Sequence, residues 1–264
     1  MAEPRIGRPA LWALRVAVFV ALLGFWHLGG RWGFLDPFFF ATPWDVIART
    51  WTDLGSAEIY RHLWVTTIET LLAFAIGTVG GIAVGFWLGL APLASLVLDP
   101  YIKAANALPR VVLAPIFALW LGLGIWSKVA LGVSLVFFIV FFNVYQGIKE
   151  VSPVVLANAR MLGASRRQLL RAVYLPSALS WVFSSLHTAV GFALVGAVVG
   201  EYLGSAAGLG YRIHQAEGVF DTVGVFSGML ILTIFVIAVD AVVSFVEARF
   251  LVWRPDASGR PGAA

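Results

Sequence analysis

Residues 70–98 read TLLAFAIGTVGGIAVGFWLGLAPLASLVL and contain no charged side chain. In lipid a backbone has to satisfy its own hydrogen bonds, which a helix does within a single segment. A helix rises about 1.5 Å per residue, so about 20 apolar residues cross the roughly 30 Å of hydrocarbon in a bilayer. The stretch therefore predicts a membrane-spanning helix.

Glycine recurs every four residues within this stretch, at Gly77, Gly81, Gly85 and Gly89. Residues four apart share one face of a helix. Small residues on such a face let two helix backbones approach closely in lipid, where no hydrophobic effect drives helices together. The four glycines predict a helix-packing face, and packing within the chain is favoured over contact between subunits.

The composition of the whole chain agrees with a membrane location. Of 264 residues, 60% are hydrophobic and 12% are charged, and the mean hydropathy is +0.90. So few charges cannot cover a water-soluble domain of this length. The net charge is +4, but the basic residues are scattered between apolar runs rather than gathered in a patch. We expect the lipid bilayer as a partner and no nucleic acid.

Apolar segments counted between charges predict six spans, at residues 16–30, 70–98, 111–127, 129–148, 177–200 and 222–239. Only a short glycine-containing turn and Lys128 separate the third span from the fourth, which predicts a tight helical hairpin. The first span follows several arginines and resembles a signal peptide. Bulky Trp26 and Leu28 stand where cleavage needs small residues, so we expect a retained span.

The distribution of basic residues predicts the orientation of the chain. With the N-terminus in the cytoplasm, most of the 18 Lys and Arg residues lie on the cytoplasmic side. Both termini are therefore expected in the cytoplasm. Residues 36–61, rich in aromatic side chains, predict an amphipathic segment at the outer interface, and residues 149–176 form a long cytoplasmic segment.

The cytoplasmic segment carries a spaced pattern: Ala157-Asn158-Ala159, three residues, Gly163, nine residues, Val173, one residue, and Leu175-Pro176. It predicts two short helices broken at Gly163, where glycine permits a turn that a larger side chain would strain. Small residues would let another protein approach, beside a basic rim that includes Arg160. An interfacial helix whose arginines bind lipid phosphate is the alternative.

This spacing resembles the EAA loop, Glu-Ala-Ala-x3-Gly-x9-Ile-x-Leu-Pro, of binding-protein-dependent ABC importer permeases. From about His62 to Trp253 the order of further motifs, such as Leu162-Gly163-Ala164-Ser165 and Gly208-Leu209-Gly210, is similar to that of nitrate/sulfonate/taurine-type permeases. The sequence departs from the pattern because Ala157 replaces the glutamate and Asn158 the second small residue. The resemblance implies an ATPase-coupling role for Ala157, Asn158, Ala159, Arg160, Leu162, Gly163, Ala164 and Ser165.

The resemblance also implies a fold and a set of partners. The fold is all-α, with six transmembrane helices in a type I ABC importer permease (MetI-like) arrangement and short cytoplasmic coupling helices. The partners are two copies of a cytoplasmic ABC ATPase, a second permease subunit in a homodimer, and an extracytoplasmic binding protein. The location is the inner (plasma) membrane of a bacterial cell, which the chain crosses several times.

Nucleotide chemistry is expected in the ATPase and not in this chain. The sequence has no G-x4-G-K-[ST] phosphate loop, so ATP and Mg should bind the partner subunit. There are no cysteines, and the four histidines have no metal-site spacing. We therefore expect no cofactor, no metal site and no enzymatic activity in the chain itself, and we do not favour a membrane enzyme or haem carrier.

Polar side chains inside spans are costly, which makes each a candidate for the translocation pathway. The candidates are Asn106, Asn143, Tyr145, His187 and Glu201. Helix–helix bonding is the alternative for His187 and for Asn143. Glu69 and Asp240 lie close to predicted span ends, where a solvated or capping role is expected. Residues 201–221 predict either an external gating element or a plain glycine-rich loop.

The chain divides into an N-terminal span with its external segment (1–60), a permease core (61–254) with the coupling segment (153–176), and a cytoplasmic tail (255–264). The resemblance implies import of a small organic anion such as a sulfonate, taurine or nitrate. A heterocyclic vitamin precursor of the pyrimidine or riboflavin type is the alternative substrate. An ion-gradient-driven secondary transporter is the alternative function, but the sequence shows no buried carboxylate pair of the kind it needs.

Overall fold

The computed structural model describes residues 7–36 and 38–250, and the regular structure in these ranges is entirely helical. The predicted tail at 255–264 lies outside these ranges. So do Arg5, one of the arginines before the first predicted span, and Trp253, at which the family resemblance ends. The α-helices are α1 (Arg8–Arg31), α2 (Pro43–Leu54), α3 (Ala57–Leu90), α4 (Pro92–Ala107), α5 (Ala114–Leu121), α6 (Ile125–Lys149), α7 (Pro153–Met161), α8 (Arg166–Leu169), α9 (Leu175–Leu203), α10 (Leu209–Gly218) and α11 (Thr222–Phe250). The 3₁₀ turn Arg110–Leu113 precedes α5, and the π-helical turn Leu170–Tyr174 joins α8 to α9.

Five described helices, α1, α3, α6, α9 and α11, are long and apolar enough to cross a membrane. A sixth span is possible from α4 together with residues 110–121, which are bent by 84° where they meet. The chain is thus an all-α, multi-pass membrane protein. The first, fourth, fifth and sixth predicted spans correspond to α1, α6, α9 and α11.

The third predicted span, at residues 111–127, is wrong as a single helix. Only the eight residues of α5 are α-helical there, and α6 begins at Ile125. Gly122 adopts φ +76°, a left-handed conformation that glycine tolerates, and it ends α5. The span is shared with α4, across a break at Leu108 and Pro109 where proline cannot continue the helix.

The second predicted span, at residues 70–98, has the wrong limits. Helix α3 begins at Ala57, runs through Glu69 and ends at Leu90, and Pro92 begins α4. Counting from charge to charge placed the start at Glu69, but that side chain is buried among other helices and does not mark a membrane surface. Because α3 begins at Ala57, it also crosses the proposed division between residues 60 and 61.

Helices α3, α6 and α9 form the core. The four spaced glycines of α3 lie against α6: a Cβ at Gly77 would lie 2.7 Å from the Val136 Cβ, and one at Gly89 would lie 2.8 Å from Ile148 Cδ1. The pairing advances along both helices together, so α3 and α6 run parallel. Glycine allows this approach because no side chain separates the two backbones.

Helix α9 runs antiparallel to α6. Gly147, near the end of α6, lies against Trp181, whereas Lys128, near the start of α6, lies against Gly200. The core therefore has two ends. The coupling end carries the end of α6, α7, α8 and the start of α9, and the far end carries the start of α3, the start of α6, the end of α9, and α10.

Helix α2 forms part of the segment for which an amphipathic structure was predicted. Trp44 and Trp51 are exposed on one side, while Thr50 and Asp53 are buried on the other. The Thr42 hydroxyl caps the helix by accepting from the Asp45 N–H at 3.3 Å. The buried side packs on α11, where Ser227 bonds to both Thr50 (3.1 Å) and Asp53 (2.9 Å).

Candidate functional site

The predicted break at Gly163 is confirmed by the backbone. Gly163 has φ +78°, and the Gly163 N–H donates to the Arg160 carbonyl at 3.0 Å. The Ala164 N–H donates to the Ala159 carbonyl, also at 3.0 Å. These two bonds form the Schellman motif, which requires a left-handed residue at the end of α7 and so favours glycine.

The second short helix starts immediately after this turn. The Gln168 N–H donates to Ser165 Oγ at 3.4 Å, and the Ser165 N–H donates to Gln168 Oε1 at 2.8 Å, which is a reciprocal capping box. Helix α8 then leads through the π-helical turn into α9, with Pro176 in the first turn. The C-terminal cap of α7 is thus followed directly by the N-terminal cap of α8.

The coupling surface, which we define as residues 153–168, projects from the core. Val154, Met161 and Leu162 are exposed, Leu162 at 89% of its surface. Of the predicted coupling residues, Ala159 and Ala164 are half-buried and the other six are exposed. Large apolar side chains displayed together on a surface mark a place where another protein or a membrane surface binds. The neighbouring arginines, Arg160, Arg166, Arg167 and Arg171, are also exposed.

Three of the predicted pathway residues lie near the bent pair and α6. Asn106 is exposed at the end of α4, and its Oδ1 accepts from Arg110 at 2.9 Å. The Asn143 amide donates to the Ile139 carbonyl of its own helix at 2.8 Å. The Tyr145 hydroxyl bonds to Ser95 of α4 at 2.5 Å. The Tyr145–Ser95 bond joins α6 to α4, and the pathway role of the three residues stays a prediction.

His187 and Glu201 lie at different levels of α9. His187 Nε2 lies 2.9 Å from Asp240 Oδ1 of α11, and both side chains are substantially exposed, at 42% and 60%. Glu201 is fully buried near the far end. The contacts described above join no two of the five candidates, and the pathway role of His187 and Glu201 stays a prediction.

A buried polar cluster at the far end was missed by sequence reasoning. Glu69 of α3, Lys128 of α6 and Glu201 of α9 are each exposed by 1% or less. Glu201 bonds to Thr66, which lies one turn before Glu69 on the same buried face of α3, so the two carboxyl groups are neighbours, and the ammonium of Lys128 is near enough for its charge to act on both. Lys128 itself donates to the carbonyls of Leu123 (2.5 Å) and Gly124 (3.1 Å).

The same cluster fastens the N-terminus of α10 to the core. The Gly208 N–H donates to His62 Nδ1 (2.9 Å), the Leu209 N–H to Thr66 Oγ1 (3.0 Å), and the Gly210 N–H to Glu201 Oε2 (2.8 Å). The first N–H groups of a helix lack partners within it and attract negative charge. Three successive bonds to core side chains favour a fixed connector here over a loosely held loop.

Three sequence expectations about these residues are wrong. Glu69 was expected to be solvated or to cap a helix, and a buried carboxylate pair was not expected. Lys128 was placed at a surface hairpin, whereas it is buried. One signal could have found the cluster: continuing the glycine face of α3 backwards in steps of three or four leads through Ala73 to Glu69 and Thr66, all of them buried.

Comparison with known proteins identifies the class of molecule that has this fold. The family described as "Binding-protein-dependent transport system inner membrane component" matches residues 77–252. The formylaminopyrimidine transport permease protein of Halalkalibacterium halodurans is 33% identical to this chain, over 89% of the chain and 94% of the relative. The chain belongs to this family of inner membrane transport components.

A second relative and a solved structure agree with the predicted type. The putative aliphatic sulfonates transport permease protein of Bacillus subtilis is 28% identical, over 94% of this chain and 90% of the relative. A chain of the inward-facing MetNI methionine ABC transporter superposes with a TM-score of 0.61 at 18% identity, covering 73% of this chain and 94% of that chain. The protein is an ABC importer permease with the type I fold, as the resemblance implied.

Proposed function

We propose that two copies of this chain form the pathway of an ABC importer, with two cytoplasmic ATPase subunits bound at their coupling surfaces and an extracytoplasmic binding protein at the far end. ATP and Mg then bind the ATPase and no cofactor binds this chain. This orientation puts both termini in the cytoplasm. The family and its relatives support the proposal, since their names describe binding-protein-dependent and ABC transport permeases.

The coupling surface is the observation that carries the proposal. Its exposed apolar residues, Met161 and Leu162, project beside Gly163 from a turn that two hydrogen bonds hold in place. A partner that buries these side chains would gain about 1.5–3 kcal/mol for each one fully buried. Ala157 cannot form the salt bridge of the family glutamate, so apolar docking and the arginine rim have to supply the contact.

Two substitutions at Gly163 test whether this turn transmits ATP-driven motion. Asparagine tolerates the left-handed conformation, whereas β-branched valine does not. We expect Gly163→Asn to retain ATP hydrolysis that depends on the loaded binding protein, and Gly163→Val to fall to the unstimulated rate. The measurement uses the assembled transporter in proteoliposomes, with matched amounts of permease. Full stimulation in the valine variant would contradict the proposal.

The face shared by α9 and α11 is the best supported part of the pathway. His187 Nε2 lies 2.9 Å from Asp240 Oδ1 on these two spanning helices, and both side chains remain partly exposed in the isolated chain. Polar groups on spanning helices need water or protein around them, because lipid solvates them poorly. We therefore assign this face to the water-filled pathway or to the contact with the second copy.

Two substrate classes remain, and each has a relative in its favour. The name of the Bacillus subtilis relative includes aliphatic sulfonates, and the name of the Halalkalibacterium relative includes formylaminopyrimidine. We propose a small sulfonate-type anion, with a pyrimidine-type heterocycle as the second candidate. Uptake of labelled taurine and labelled formylaminopyrimidine, each in the presence of the cognate binding protein, separates the two.

A further inference from the structure

The buried polar cluster at the far end contains more titratable groups than it can hold in charged form. Glu69, Glu201 and Lys128 are almost completely shielded from solvent. With all three charged, the cluster would bury one uncompensated negative charge and place two carboxylates in contact. A buried charge without a compensating partner is strongly unfavourable. A single proton on one carboxyl makes the cluster neutral.

The hydrogen bonds show which carboxyl carries that proton. Both oxygens of Glu201 are acceptors, since Oε1 accepts from the Thr66 hydroxyl at 2.6 Å and Oε2 accepts from the Gly210 N–H at 2.8 Å. This pattern fits a carboxylate, because a protonated Glu201 would carry an O–H that needs an acceptor of its own. With Glu201 ionised, a hydrogen bond between the two neighbouring carboxyl groups requires Glu69 to be the donor.

The second oxygen of Glu69 supports the same assignment. Among the residues that the structure describes, Glu69 Oε2 is buried and has no hydrogen-bond partner. An ionised carboxylate with a bare buried oxygen would be very unfavourable, whereas the carbonyl oxygen of a neutral acid costs much less to leave unpaired. The geometry therefore describes a carboxylic acid at Glu69 and a carboxylate at Glu201.

The other charged groups around the pair come from each neighbouring helix. Lys128 faces it from α6, and His62 and Glu58 lie along α3, with His62 Nε2 lying 3.5 Å from Glu58 Oε1. From α10, Arg212 acts on His62 and is itself held by Asp53 of α2 at 3.1 Å. Lys128 is the basic group that acts on both carboxyls, and its single positive charge balances Glu201 alone.

We propose that Glu69 and Glu201 form a buried proton-binding site, in which one proton held by Glu69 keeps Glu201 bonded to the N-terminus of α10. Removing the proton places a second negative charge beside Glu201 and drives the two carboxylates apart. The bonds of Glu201 to Thr66 and Gly210 then weaken, and α10 loosens from the core. The far end of the permease thus depends on a bound proton, independently of the transported substrate.

Infrared difference spectroscopy of the purified full chain tests the protonated acid directly. At neutral pH, the spectrum of the wild type minus that of Glu69→Gln should contain the C=O stretch of a protonated carboxyl. The band should shift in D₂O and disappear on alkaline titration. Absence of the band in this difference, or its persistence in Glu69→Gln, would overturn the proposal, and the wild-type titration applies even if the variant does not fold.

Hydrogen exchange tests the link to α10. After correction for the intrinsic pH dependence of exchange, protection of residues 208–218 should fall at alkaline pH in the wild type. Glu69→Gln, which keeps a donor and cannot ionise, should hold that protection. Asp99→Asn is the control, since Asp99 is an exposed carboxylate of α4 that pairs with Lys103 on the same helix, and it should behave as the wild type does. Identical pH profiles for the wild type and Glu69→Gln would refute the link.

Discussion

Asp53 is one side chain on which three helices meet. It lies on α2, and its carboxylate accepts from Arg212 of α10 at 3.1 Å and from Ser227 of α11 at 2.9 Å. Only 12% of the side chain is exposed, so water replaces neither bond. A buried acceptor that serves several donors contributes far more to stability than an exposed ion pair does.

Asp53→Ala should therefore lower the free energy of unfolding by roughly 1–3 kcal/mol, because it leaves Arg212 and Ser227 without their partner. Asp99→Ala is the matched control, since Asp99 pairs with Lys103 at 2.7 Å but is 47% exposed. Such an exposed pair contributes little to stability, because water already solvates both charges. Thermal or denaturant unfolding in detergent measures both. Equal losses of unfolding free energy in the two variants would show that burial does not strengthen the contribution of Asp53 to stability.

Single residues also show where sequence reasoning works. The conformation of Gly163 was predictable because it depends on neighbours in the chain that form its two caps. The burial of Glu69 was not, because it depends on Glu201, which is remote in sequence and comes close only when α9 packs on α3. A charged residue within a long apolar run lies either at a membrane surface or beside a buried partner, and composition does not distinguish these two locations.

Between elements, the glycine face of α3 determines the architecture of the core. A Cβ at Gly81 would lie 2.8 Å from the Phe137 carbonyl oxygen and 2.9 Å from the Val140 Cβ. Both atoms belong to parts of α6 that cannot rotate away. Helix α3 therefore has to be displaced from α6 to accept even a methyl group.

Gly81→Ala should cost roughly 1–3 kcal/mol of stability through this overpacking, despite the better helix propensity of alanine. Gly24→Ala on α1 is the control, because nothing lies within 4 Å of its Cβ position. The control should lose no stability, and the better helix propensity of alanine should raise it by about 0.5–1 kcal/mol. The comparison uses unfolding midpoints in one detergent, and an unaffected Gly81→Ala would mean that α3 and α6 are less closely packed than described.

The bend between α4 and α5 is an element that the sequence indicated only in part. The glycines near residue 122 predicted a turn, but the sequence pattern predicted neither a break at Pro109 nor that α4 and the following segment would meet at 84°. That angle depends on contacts with α6, such as Arg110 donating to the Ser134 carbonyl at 3.0 Å and lying 4.1 Å from the centre of the Phe138 ring. Local helix-breaking residues determine where a helix ends, whereas tertiary contacts determine the direction of the segment that follows.

For the whole molecule, the proposed assembly makes a prediction about stoichiometry. Native mass spectrometry of the purified transporter should give two copies of this chain with two ATPase subunits. Leu162→Ser, which removes an exposed apolar side chain, should weaken the ATPase contact and leave the permease pair intact. Loss of both contacts together would show that the coupling surface also holds the two permease copies.

A transport measurement separates this assembly from the ion-gradient alternative. The buried Glu69–Glu201 pair is the kind of group that a secondary transporter needs, so the comparison is meaningful for this chain. We expect solute uptake by vesicles that contain the permease, the ATPase and the binding protein, and none when the ATPase is omitted. Uptake driven by a pH gradient without the ATPase would favour the alternative.

Helix α6 is continuous from the buried cluster to the coupling surface, and this has a mechanical consequence. It is 25 residues long, and at about 1.5 Å per residue it measures roughly 37 Å. Lys128 stands at one end of it, and α7 begins a few residues after the other. Close contact with the glycine face of α3 keeps α6 rigid. A displacement of one end of α6 along its axis is therefore transmitted to the other end.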